Sequence, residues 1–299
     1  DRSVSRGLGD VYKRQVDMSL IIRTLSSIGY SGADAEFVAG VITTWGYKLN
    51  MIVTAVATGL TVSLIPNIVS AYTLKKYDKV NKIFNKALQI ILFISIPAAF
   101  GLSFLSYPVW NVFYGIDAYG PTVFKLSIIT AIFCNFYLIA IQTAQSVNKY
   151  KIVYIAVITG FLTNALMDVP LMLLCNKIGL PPYYGASFAT ILGYTIAIVI
   201  VLASMKKIKG INYGETWKML FKTIGALVVM LVVLSLLNIV YPFHTSTKMW
   251  SIIDIAIYAL VGATIYLFLM YKMGIIKDLF GQKIIDRVLK IITLGHYKA

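Results

Sequence analysis

Apolar residues fall in long runs separated by short polar stretches. Seven runs are long enough to cross a bilayer, at roughly 46–72, 87–110, 124–145, 152–175, 184–205, 219–241 and 250–272. A hydrocarbon core of about 30 Å needs about 20 residues of helix. Inside lipid only helices and closed barrels satisfy every backbone group. Each run is therefore predicted as a transmembrane helix. Residues 16–27, VDMSLIIRTLSS, are too short to span and read as the tail of one more, truncated helix. Pro66, Pro97, Pro108 and Pro170 lie in or at the ends of these runs, where neighbouring helices can satisfy a freed carbonyl.

The two ends of the chain differ from this pattern. Asp1–Gln15, DRSVSRGLGDVYKRQ, is polar and basic and shows no helical stripe. It resembles translated sequencing-adapter read-through, and the expectation is that residues 1–15 are foreign and the natural protein longer. The alternative is a native basic arm. At the other end, Phe280, Ile284, Val288 and Ile292 recur at helical spacing with Lys283, Arg287 and Lys290 off the stripe. This predicts a basic amphipathic helix lying on an anionic leaflet. The expected division is residues 1–15, a transporter lobe over 16–205, two additional helices over 206–272 and a basic tail over 273–299.

Composition sharpens the class. Of 299 residues, 59% are hydrophobic and 13% charged, and the mean hydropathy is +0.79. Soluble domains carry about 25% charged residues, so a cytosolic enzyme is excluded. The net charge of +15 does not form one basic face. The 27 Lys and Arg cluster in alternate loops: 18 lie on one side of the alternating topology and 2, Lys177 and Lys248, on the other. The positive-inside rule puts the first side, with the C-terminus, in the cytoplasm. That distribution argues against nucleic acid and for anionic lipid. Tyr107, Trp110, Tyr114 and Tyr119 at one outer loop, and Tyr241, Phe243 and Trp250 at another, read as interfacial anchors.

No nucleophile elbow, phosphate loop or zinc-binding helix motif is present in the sequence, and two histidines and two cysteines build no metal cluster. The informative residues are polar groups within apolar runs, because they are expensive there. Lys48, in WGYKLN, stands at the outer start of its helix and reads either as a cavity cation or as a snorkelling lysine. Arg23 lies near the outer end of the truncated helix, with Asp17 about two turns earlier. Asn164 and Asp168 share one helix face, and Asp168 lies about 25 Å along the helix from Lys151. They read as a cation or proton site or as a helix-packing pair. Asn135, Gln142 and Gln145 read equally as interhelical hydrogen bonds or substrate contacts.

Beyond these readings, the segment TGLTVSLIPNIVSAYTLKKYDKVNKIFNKALQIILFISIPAAFGLSFLSYPVWNVFYG resembles the multidrug/oligosaccharidyl-lipid/polysaccharide (MOP) exporter superfamily. The resemblance rests on Leu64 to Pro66 followed by Ser70, the basic loop Lys75 to Lys86, Ile96-Pro97-Ala98-Ala99, Gly101 and Tyr114-Gly115. IQTAQSVNKYK, GFLTNALMDVPLML and GLPPYYGASFATILGY continue it in order. Within the superfamily the chain is most similar to the MviN-type lipid II flippase and stage V sporulation protein B branch. The resemblance implies an all-α polytopic membrane protein with seven full helices and one truncated. These would be the C-terminal lobe and last two helices of a two-lobe, MATE-like transporter, monomeric when full-length. It implies a substrate-binding cavity for a polyprenyl-pyrophosphate-linked saccharide in a bacterial cytoplasmic membrane, with no cofactor and no catalysis. A family cation falls at or beside Lys48; Arg23, Asn135 and Gln142 are further substrate candidates, and Asp168 and Asn164 candidates for ion coupling. The rival readings are a cation-coupled multidrug exporter and a multispanning acyl- or glycosyltransferase.

Overall fold

The structure, a computed structural model, describes residues 2–208 and 211–282, without the side chains of residues 2–14. Among the described residues there are helices and no strands. In chain order they are α1 Arg2–Ser27, α2 Gly32–Gly40, a π-helical turn Val41–Trp45, α3 Gly46–Thr73, α4 Tyr77–Phe104 and α5 Ser106–Tyr114. There follow α6 Gly120–Ser127, α7 Thr130–Ser146, α8 Tyr150–Lys177, α9 Tyr183–Lys206, α10 Gly214–Val240, α11 Lys248–Lys272 and α12 Ile275–Phe280. Seven helical stretches are long and apolar enough to cross a membrane. The seven expected runs all fall on them.

Three boundaries differ from the sequence reading, each for a local reason. The run expected at 87–110 begins instead at Tyr77 and ends at Phe104. Val80, Phe84, Ala87, Leu88 and Ile91 form one buried stripe through the lysine-rich turns, while Lys79, Lys82 and Lys86 stay exposed. The basic stretch is thus the amphipathic start of α4. Trp110, expected as an interfacial anchor, belongs to the separate helix α5 and is fully buried. Its indole N–H donates to Asp117, and its ring packs so tightly on Gly120 that a Cβ there would overlap it. The run expected from 46 extends back through a π turn to Gly32. A Cβ on Gly46 would sit 2.7 Å from the Val41 carbonyl, so the close turn requires glycine.

The polar segment Asp1–Gln15 is not separated by a break, since α1 is continuous across Gln15 and Val16. The predicted basic helix at the other end is interrupted. α12 ends at Phe280, Gly281 has φ +80, and the Phe280 ring packs on Phe93 of α4 inside the bundle. The stripe from Ile284 to Ile292 lies outside the described residues.

Two hydrophobic clusters fill the bundle. One joins Leu25, Val53, Trp110, Phe124 and Met172 with Met230, Tyr258 and Leu279 of the last helices. The other joins Val80, Phe84, Ala140, Val153, Val201 and Met205. α8 and α9 form the closest pair: a Cβ on Gly160 would lie 2.9 Å from the Gly193 carbonyl, and one on Gly193 would lie 2.6 Å from the Gly160 carbonyl. The hairpin of α10 and α11 packs on α4 and α5.

Breaks in the long helices are satisfied from neighbours. The kink between α6 and α7 leaves the Ser127 carbonyl accepting from the Asn50 amide at 3.1 Å and from the Thr130 hydroxyl at 2.6 Å. Pro97 removes the N–H that would have bonded the Phe93 carbonyl, four residues earlier. Tyr266 of α11 donates its hydroxyl to that carbonyl at 2.9 Å.

Candidate functional site

Asp17 lies ten residues before the end of α1, and Asn164 and Asp168 lie thirteen and nine before the end of α8. α1 and α8 pack side by side. At about 1.5 Å per residue the three side chains therefore reach similar depth. They meet: the Asn164 amide donates to the Asp17 carboxylate at 3.1 Å and to the Asp168 carboxylate at 3.2 Å. Asn164 and Asp168 are almost wholly buried, and the Asn164 Oδ1 atom is buried without a hydrogen-bond donor. Two carboxylates thus share the amide N–H donors of Asn164 where α1 and α8 meet. Two carboxylates sharing one neutral donor suit a proton or a hard cation rather than a transition metal. Among the described residues no group of three or more His, Cys, Asp or Glu forms a metal cluster.

Asp17 is the partner that the sequence reading did not assign to a site. It sits next to the polar N-terminal segment, and its pairing spans 147 residues. Only the packing of α1 on α8 brings it to them.

Lys48 is exposed, in the first turn of α3 directly after the π turn. Arg23 is exposed on α1, six residues beyond Asp17. Among the described residues neither makes an ion pair. Both cations thus stand on the surface, and the structure does not bring them into contact with the acidic cluster.

Asn135 is fully buried and donates to the Val53 carbonyl at 2.9 Å and the Ser95 hydroxyl at 2.7 Å. It ties α7 to α3 and α4, which is the interhelical arrangement, one of the two readings its pattern allowed. Gln142 is half-buried two turns further along α7, and its carbonyl accepts from the Ser146 hydroxyl.

With this geometry in hand, comparison with known proteins is decisive. The family model described as lipid II flippase MurJ matches residues 44–260. The chain belongs to this family. A curated relative, lipid II flippase MurJ of Bacillus subtilis (strain 168), is 26% identical over 285 residues, covering 93% of this chain and 51% of the relative. A solved structure of lipid II flippase MurJ in an inward closed conformation shares the fold, with a TM-score of 0.63 at 18% identity over 90% of this chain and 52% of that one. The chain therefore spans about half the length of the family members it matches. This lipid II flippase family member is an all-α, multi-pass membrane protein.

Proposed function

We propose that the chain is the C-terminal lobe, with two further helices, of a flippase moving an undecaprenyl-pyrophosphate-linked saccharide across the bacterial cytoplasmic membrane. The substrate class is the lipid-linked peptidoglycan precursor. Family membership over residues 44–260 carries the reading. Among the described residues no feature favours a multidrug exporter or a membrane transferase. The C-terminus faces the cytoplasm, from the split of 18 positive charges against 2. The full-length protein works as a monomeric two-lobe transporter without a cofactor.

In such transporters the substrate lies where the two repeats meet. A pyrophosphate carries negative charge that must leave water partly unscreened during passage. Lys48 and Arg23, exposed and outside any ion pair among the described residues, supply positive charge for it. Asp17, Asn164 and Asp168 hold a cation or proton whose occupancy changes how α1 and α8 meet, coupling an ion gradient to alternating access.

The test is complementation of a bacterial strain depleted of its lipid II flippase by the full-length protein. Lys48→Arg keeps the charge and adds bidentate phosphate contacts, so it should retain function. Lys48→Ala should lose it at equal membrane abundance. Failure of the parent protein to complement would overturn the substrate assignment. Complementation by Lys48→Ala as good as the parent's would overturn only the role of Lys48.

A further inference from the structure

α4 and α10 meet at their N-terminal turns, away from the Asp17–Asn164–Asp168 cluster. The Asn85 amide donates to the Asn212 carbonyl at 2.8 Å, and the Asn85 Oδ1 atom accepts from the Thr216 hydroxyl at 2.6 Å. The Asn212 N–H donates to the Asn81 side chain at 3.0 Å. This clamp borders an open cleft of about 340 Å³. Lys82, Lys86 and Gln89 of α4 line one wall and Glu215 of α10 the other.

The charges in the cleft do not cancel. Lys82 and Lys86 stand one turn apart on the same exposed face, and neither is ion-paired among the described residues. Glu215 is already engaged by Lys218 at 2.9 Å. α10 begins at Gly214, whose N–H donates to the Asn212 side chain at 3.0 Å, and Glu215 in the same turn offsets the positive helix end, so the two lysines are the main source of positive charge in the cleft. The depth is also informative. After Lys86, α4 carries no further charged residue up to its end at Phe104 and becomes predominantly apolar. The cleft therefore opens at the level where helix surface passes from water to hydrocarbon, which is the level of lipid phosphates.

We propose that this cleft binds one phosphate group, supplied by the headgroup of an anionic phospholipid, between α4 and α10. Lys82 and Lys86 provide the charge-assisted contacts, and the asparagine clamp fixes the spacing of the two helices around it. The bound lipid braces the α10–α11 hairpin against α4. Assignment of the lipid to the inner leaflet rests on the topology given under the proposed function, whereas the binding itself is testable without it.

The full-length protein in neutral detergent is titrated separately with dioctanoyl phosphatidylglycerol, dioctanoyl phosphatidylcholine and inorganic phosphate. Binding is read by native mass spectrometry and by the midpoint of thermal unfolding. Phosphatidylglycerol is expected to bind and raise the midpoint. Lys82→Gln with Lys86→Gln should weaken that binding by about ten-fold or more and remove the shift. Arginine at both positions should retain it. Lys75→Gln with Lys76→Gln makes the same charge change in the preceding turn, outside the cleft, and should leave binding within about two-fold. Inorganic phosphate giving the same Lys82- and Lys86-dependent shift, without advantage from acyl chains, supports the phosphate site and moves its source from lipid to solution. Phosphatidylcholine binding as tightly as phosphatidylglycerol would overturn the proposal. So would equal losses from the two lysine pairs, which would leave only a diffusely basic surface.

Discussion

Two buried asparagines in this bundle differ in the charge of what they touch. Asn135 of α7 and Asn164 of α8 are both buried in apolar helices, and each amide donates to two acceptors. The acceptors of Asn135 are a backbone carbonyl and a hydroxyl. Those of Asn164 are two carboxylates, on different helices. A neutral network has one charge state and so one preferred packing. A network built on acids has several, and its packing energy depends on what compensates them. The residue type and its burial are shared; the charge of the partners differs, and the proposed ion coupling rests on that difference.

The largest expected effect comes from removing a charge in the acidic network while keeping its shape. Full-length protein carrying Asp168→Asn should insert and accumulate normally, yet transport should fall by about ten-fold or more and complementation should fail. Its unfolding midpoint should be unchanged or raised, because a buried ionisable group has been neutralised. Transport at the parent rate at equal abundance would make Asp168 a packing acid and erase the contrast with Asn135.

The sequence carried the apolar part of this picture well. A transmembrane helix must be apolar along its length, so the seven spans could be read from hydropathy alone, and the alternating lysines kept them in register. What hydropathy hid were the ends. Lys79, Lys82 and Lys86 disguised the first turns of α4 as a loop, because only the stripe from Val80 to Ile91 records that one face is buried. Trp110 passed for an interfacial anchor because its burial depends on Gly120 and Asp117 beyond the next turn. Asn164 and Asp168 were visible as a pair on one helix face. Asp17 was not visible as their partner, because that contact is made by the packing of α1 on α8 and leaves no local pattern. The acceptors of Asn135 on α3 and α4 were likewise not visible in its local pattern.

The neutral network should fail in the opposite way. Asn135→Ala removes the donor to the Val53 carbonyl and to the Ser95 hydroxyl. Single interhelical hydrogen bonds in membranes contribute about 0.6 kcal/mol on average and up to about 1.7. Two lost contacts and a small void should therefore cost about 1–3 kcal/mol, read as a lower unfolding midpoint in detergent. Transport per folded molecule should stay at the parent level. Lost transport with unchanged stability would instead make Asn135 a substrate contact and break the comparison from its other side.

The smallest effect calibrates this neutral class. Pro97 leaves the Phe93 carbonyl without its helical donor, and the Tyr266 hydroxyl supplies one from α11 at 2.9 Å. Tyr266→Phe deletes only that hydroxyl. The ring stays in contact with Phe93, whose centroid lies 5.8 Å away, and no cavity opens. The cost is then one neutral hydrogen bond at a helix already bent by proline, about 0.5–1 kcal/mol, with transport unchanged. The carbonyl keeps a weaker claim on its own helix, so relaxation of the kink should recover part of the loss. A destabilisation larger than that of Asn135→Ala would mean that the docking of α11 on α4 depends on this bond more than the three-helix clamp depends on Asn135. The hierarchy of neutral contacts would then be inverted, although the distinction between neutral and acidic networks would stand.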